Sequence, residues 1–111
     1  MISLEVNGKK YDNDILIRLD GTIEKRKKKL SKEIFGTSHT ISLAEAEYVY
    51  EDGAEKLIIG SGQSAMVKLS DEASEFFMQK KCKVDLLPTP EAIECWNKTK
   101  SQTIGLFHIT C

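Results

Sequence analysis

Lys56-Leu57-Ile58-Ile59-Gly60-Ser61-Gly62 decides the fold class. A short apolar run that stops on glycines reads as a buried strand, Lys56 to Ile59, closed by a turn at Gly60-Ser61-Gly62. Downstream of it the signals alternate. Ser70, followed by Asp71 and Glu72, predicts a helix whose Ala73, Phe76 and Phe77 follow i, i+3, i+4 spacing. Lys83 to Leu87 reads as another buried strand. Thr89-Pro90-Glu91 starts a further helix, with Thr89 as N-cap and Pro90 at N1, and with Ala92, Ile93 and Trp96 turned inward. Thr103 to Cys111 is the final strand. Strands that alternate with helices in this way predict parallel pairing and a sheet covered on both faces.

Upstream, Ser42-x-x-Glu45 forms a capping-box pattern and predicts a helix from Leu43 to about Glu51, with Leu43, Ala46 and Tyr50 on its buried stripe. Earlier still, Ile2, Leu4 and Val6 alternate with polar residues, and Asn7-Gly8 is a hairpin signal. The run Tyr11 to Leu19 places Ile15, Ile17 and Leu19 on one face, so the first two strands are expected to form an antiparallel hairpin. Asp20-Gly21 supplies the next turn. The basic run Lys25-Arg26-Lys27-Lys28-Lys29 reads as a solvated turn, with a protein or nucleic-acid contact as the alternative, and Leu30, Ile34 and Phe35 as a short helical turn stopped by Gly36. The expected fold is a three-layer α/β domain spanning residues 1–111, with a central mixed sheet, flanking helices and an N-terminal β-hairpin.

Composition narrows the function classes. The chain has 111 residues, 16 Lys plus Arg against 17 Asp plus Glu, and a net charge of −1. Such a balance gives no global attraction for nucleic acid or a membrane surface. No apolar run approaches the roughly 20 residues of a membrane span, and the opening Met1 to Glu5, with no basic or apolar stretch of a leader, gives no expectation of a secretory signal. The three cysteines, Cys82, Cys95 and Cys111, form no C-x-x-C and no zinc-spaced cluster, so reduced thiols in a cytoplasmic protein are expected.

Four motifs, taken in order, carry a family resemblance. They are Gly36-Thr37-Ser38-His39; Ile58-Ile59-Gly60-Ser61-Gly62-Gln63-Ser64; Leu87-Pro88-Thr89-Pro90-Glu91-Ala92-Ile93 with Asn97; and Gly105-Leu106-Phe107-His108-Ile109-Thr110-Cys111. The chain resembles the Mth938-like family, DUF498, over nearly its whole length. The resemblance implies a compact three-layer α/β fold with a central mixed sheet, and it implies no catalytic residues. Related mitochondrial proteins act in respiratory complex I assembly, which implies work through protein contacts.

Several motifs invite sharper readings. Gly60-x-Gly62-x-x-Ala65 follows a strand, with Asp85 about 20 residues on, as a dinucleotide fingerprint requires. However, Met66-Val67-Lys68-Leu69 intervenes before the helix start at Ser70, so the glycines read as a strand-end turn. No cofactor is expected. Asp12, Asp14 and Asp20 lack the Gly and Glu of a calcium loop and read as solvated faces; no metal site is expected. His39 and His108 are the only histidines, and each reads as a structural group or a polar contributor to a site. A His108–Cys111 dyad would need the strand to end early, because an odd offset points side chains to opposite faces.

Parallel sheets bind ligands beyond the C-terminal ends of their strands. The residues expected at that edge are Gly60, Ser61, Gly62, Gln63, Thr89 and Pro90, with His39 and His108 as possible polar additions. The function expected first is a non-enzymatic accessory or assembly protein with a protein partner. The alternative is a small anion or metabolite site, or an enzyme, at the Gly60–Ser64/Thr89 edge.

Overall fold

The computed structural model describes residues 4–6, 9–37, 39–62, 67–99 and 102–108. Along the chain run β1 (Leu4–Val6), β2 (Lys9–Tyr11), β3 (Ile15–Ile17), β4 (Ile23–Lys25), α1 (Lys29–Phe35), β5 (Thr40–Ile41) and α2 (Leu43–Val49). After them come β6 (Lys56–Ser61), β7 (Lys68–Leu69), α3 (Asp71–Gln79), β8 (Lys83–Leu87), α4 (Thr89–Lys98) and β9 (Thr103–His108). The main sheet has the strand order β4-β3-β9-β6-β8. β6 runs parallel to both β8 and β9, while β3 runs antiparallel to β9 and to β4, so the sheet is mixed.

Parity along the strands builds the three layers. Leu57 and Ile59 on β6, Ile104 and Leu106 on β9 and Leu16 on β3 pack with Ala46, Val49, Ala73 and Phe77 of α2 and α3. The residues between them, Ile58, Phe107, Ile15 and Ile17, point the other way and pack with Ala92, Ile93 and Trp96 of α4. Burial on both faces explains why Leu57-Ile58-Ile59 is apolar throughout and does not alternate.

Several expectations shift. The run Tyr11 to Leu19 is not one strand. β1 pairs with the short β2, and β3 joins the main sheet between β4 and β9. The break is at Asp12-Asn13-Asp14, where Asp14 is drawn into the protein by partners described below. The Asn7-Gly8 turn lies outside the described residues. β6 runs on through Gly60 and Ser61, so only Gly62, at φ +92°, is a turn glycine. Gly60 serves close packing instead: a Cβ there would sit 3.0 Å from both Phe107 Cδ1 and Thr89 Oγ1. Ser42 and Ser70 cap α2 and α3 as expected, accepting from the backbone N–H of Glu45 and of Ala73. α1 ends on Gly36 in the left-handed region.

Arg18 ties the β3–β4 hairpin to the end of α2. Its Nη1 donates to the carbonyls of Tyr48 and Val49 at 3.0 and 3.3 Å, where a cation also suits the helix dipole. Its Nε lies 3.1 Å from Glu24 Oε2, and the Tyr48 hydroxyl donates to Glu24 Oε1. The Tyr48 hydrogen bond first, then that of Arg18, hold the Glu24 carboxyl below its ordinary 4.5. A carboxyl depressed in the folded state stabilises the protein above its unfolded pKa, and that stabilisation disappears as pH falls through the lowered value. Urea midpoints taken from about pH 6 to about pH 3 should therefore show Glu24→Gln less stable than wild type at the upper end and converging with it below pH 4.5. A gap that stays constant with pH would overturn the assignment.

Candidate functional site

The strand register sets a polar row across one end of the main sheet. Ile15 lies opposite Lys25 on β4 and Phe107 on β9, so Asp14 falls between Arg26 and His108. His108 in turn lies opposite Ser61 at the end of β6. Arg26, Asp14, His108 and Ser61 are thus neighbours in one row, although they come from distant parts of the chain. All four are buried.

Their side chains complete one another. Asp14 Oδ2 lies 2.6 Å from His108 Nδ1 and 3.1 Å from Arg26 Nη1. The Lys28 ammonium stands 3.7 Å from the same oxygen. Asp14 already accepts from Arg26, so His108 carries its hydrogen on Nδ1 and the ring is held in one orientation. Arg26 grips Glu45 of α2 with two bonds, Nε to Oε2 at 2.6 Å and Nη2 to Oε1 at 3.0 Å. Burial alone would lower the Arg26 pKa; the Glu45 hydrogen bond and charge, then Asp14, outweigh it, and the net shift is upward. Ser31 of α1 hydrogen-bonds Glu45 Oε1 and accepts from the backbone N–H of Ser42 at 2.9 Å. No buried side-chain nitrogen or oxygen among the described residues lacks a partner.

Two readings of polar residues are corrected here. Asp14 does not belong to a solvated face; it is 1% exposed. The basic run is not wholly a solvated turn, because Arg26 is 4% exposed within it. The capping box at Ser42 is half formed: Ser42 caps the Glu45 N–H, but the Glu45 side chain is claimed by Arg26 and Ser31.

Of the residues expected at the C-terminal edge of the sheet, several converge. β9 runs parallel to β6, which brings His108 to the same end as Ser61 and Gly62. The His39 ring meets the His108 ring edge-on, with centroids 5.4 Å apart. Thr89, read as the N-cap of α4, is instead its first residue, after Pro88. Its hydroxyl is occupied elsewhere, accepting from the Gly62 N–H at 2.8 Å and donating to the His108 carbonyl at 2.5 Å. The Thr89 N–H donates to the Gly62 carbonyl at 3.0 Å. Ser61 is buried and donates to the Leu87 carbonyl at 2.9 Å. Gly60 is covered by Phe107 and Thr89, and Pro90 is exposed on α4. Gln63 and Ser64, with Ser38, Ala65, Thr110 and Cys111, lie outside the described residues. So does the whole His108–Cys111 question.

Among the described residues the elements of a dinucleotide fingerprint do not come together. The next described element after Gly62 is β7, with α3 only after it, and Asp85 pairs with Lys56 at 3.1 Å toward the opposite end of the strands. Among the described residues, no three His, Cys, Asp or Glu side chains converge as a metal site, and no helix is long and apolar enough to cross a membrane. What the row does chemically is orient one imidazole with a carboxylate, itself steadied by a guanidinium; the nearest hydroxyl in the row, Ser61, turns to a carbonyl.

The sequence reading missed Arg26 and Glu45 as site residues. One signal was present: Arg26 is a lone arginine inside a lysine run, and only arginine supplies the planar fork that grips a buried carboxylate with two bonds.

A family model described as "Protein of unknown function (DUF498/DUF598)" matches residues 2–104. Among solved structures, the chain is similar to the conserved hypothetical protein PH1505 from Pyrococcus horikoshii OT3. They share 31% identity over 100% of each chain, with a TM-score of 0.85. It is also similar to the protein MT938, at 30% identity over 98% of this chain and 91% of that one, with a TM-score of 0.81. These likenesses agree with the motifs and with the mixed three-layer sheet.

Proposed function

The chain belongs to the DUF498 family, and on that premise we propose that it is an accessory protein that works by contacting other proteins, with the end of α1 as its contact surface. The observation that supports this is the orientation of α1. A surface helix ordinarily turns its apolar side inward. α1 does the reverse: its one buried residue is Ser31, while Ile34 and Phe35 are 60% and 40% exposed.

The buried polar network explains how such an arrangement holds. Ser31 is fixed by Glu45 and Ser42, and the Ser42 hydroxyl donates to the Leu30 carbonyl at 2.8 Å. α1 is therefore anchored by hydrogen bonds, which leaves Ile34 and Phe35 for another molecule. Burying one such side chain is favourable by about 1.5–3 kcal/mol, so two of them form a useful anchor for a partner.

Replacing Ile34 with a photo-crosslinking residue should yield a discrete adduct in cells at native expression, and the adduct should disappear when Phe35→Asp is added. The same probe at the exposed Glu72 of α3 serves as the control. Exposed substitutions of this kind should leave stability within about 0.5 kcal/mol. Equal labelling at positions 34 and 72 would sink the proposal.

A further inference from the structure

We infer that the cleft beside the polar row binds a small anion carrying phosphate groups. The cleft has a volume of about 380 Å³ and is lined by Asn13, Asp14 and residues Lys25 through Lys29. β4 ends at Lys25 and α1 begins at Lys29, so the basic run is the connection between a strand and a helix. All five residues of the run contribute to the lining of one concavity, although the whole chain carries a net charge of only −1.

The charges in the cleft are not internally balanced. Arg26 is consumed by Glu45 and Asp14, and Lys28 stands by Asp14. Asp14 is therefore already offset by Arg26 and Lys28, with His108 bonded to the same oxygen, and offers little repulsion to an incoming anion. The Lys27 ammonium lies 5.6 Å from the centre of the Tyr48 ring. Lys25 and Lys29 form no ion pair among the described residues. Lysine binds phosphate as a point charge that tolerates varied geometry, and clustered like charges in a concave, low-dielectric wall focus the field on an anion. The Asn13 amide adds a neutral donor: one of its two N–H groups is used on Asp12, at 3.0 Å. A cleft of this size falls in the range of small-ligand sites and suits a di- or triphosphate moiety.

The test is a calorimetric titration with inorganic tripolyphosphate at about 150 mM salt, where weak surface attraction is screened beyond about 8 Å. Saturable binding with a Kd below about 1 mM is expected. Lys25→Ala/Lys29→Ala should weaken it at least tenfold. Lys80→Ala/Lys81→Ala, which removes the same charge from the end of α3, should leave it unchanged. Both pairs are exposed, and a matching circular-dichroism melt confirms the fold. No saturation, or an equal loss in the two variants, would overturn the site. Co-sedimentation with vesicles that display lipid phosphomonoesters then separates the sources: sedimentation assigns a headgroup, and binding of free tripolyphosphate alone assigns a soluble ligand.

Discussion

Arg26→Met is expected to destabilise the protein by about 3–5 kcal/mol, the usual consequence of removing one partner from a buried ion pair. Arg26 is held by Glu45 and Asp14, and all three side chains are 1% exposed. Methionine fills much of the space but supplies no donor. Glu45 would then keep its hydrogen bond from Ser31 and lose two from the guanidinium, while remaining shut away from water. Asp14 would lose one and keep His108. For a domain near this size each kcal/mol moves the melting temperature by about 4–8 °C, so the fall should exceed about 10 °C. The network as a whole is a different matter, because charges taken out of water recover little net stability from each other. Arg26→Met combined with Glu45→Leu and Asp14→Asn, which leaves the His108 N–H an acceptor, should therefore recover at least half of the loss. Urea unfolding of the single and triple variants checks both statements. A single variant within 1 kcal/mol of wild type would show that water reaches the carboxylates and that the row is not a closed network.

The contrast between what was and was not legible in the sequence follows from range. Lys56 to Ile59, the serine caps at Ser42 and Ser70 and the stop at Gly36 are local devices: each is satisfied within a few residues by backbone geometry, and each stands where the pattern puts it. The polar row is not local. Asp14 is buried because residues 12 and 94 positions away arrive beside it. Nothing within a turn of Asp14 distinguishes it from Asp12, which is exposed. The same holds for Glu45, whose capping role was visible and whose capture by Arg26, 19 residues away, was not. Polar residues are cheap to misplace by pattern, since their burial depends on partners that only the strand order supplies. The apolar residues carry their own reason for burial and were assigned more easily, though Ile34 and Phe35 show that the rule fails where a helix is anchored by its polar side.

Thr89→Val should cost roughly 2–6 kcal/mol, because it strips a hydrogen-bond partner from a buried donor and from a buried acceptor, at about 1–3 kcal/mol each. The change is nearly isosteric, so packing against Gly60 is kept while the hydroxyl is removed. That hydroxyl accepts from Gly62 at the end of β6 and donates to His108 at the end of β9. With the Thr89 N–H on the Gly62 carbonyl, one residue fastens the ends of three adjacent strands, β8, β6 and β9. The location matters. From β6 the chain moves to α3 on one face of the sheet, and from β8 it moves to α4 on the other. Adjacent strands whose connections leave on opposite faces open a crevice in open α/β sheets. Here Thr89 bridges that crevice. Thr89→Ser keeps the hydroxyl and should restore most of the loss, which separates the hydrogen bonds from the lost methyl. Backbone amide exchange is the more local measurement: the Gly62 N–H should exchange at least tenfold faster in Thr89→Val and near the wild-type rate in Thr89→Ser. Unchanged protection of Gly62 in the valine variant would mean that the strands are held together by packing alone and that the threonine bridge contributes nothing.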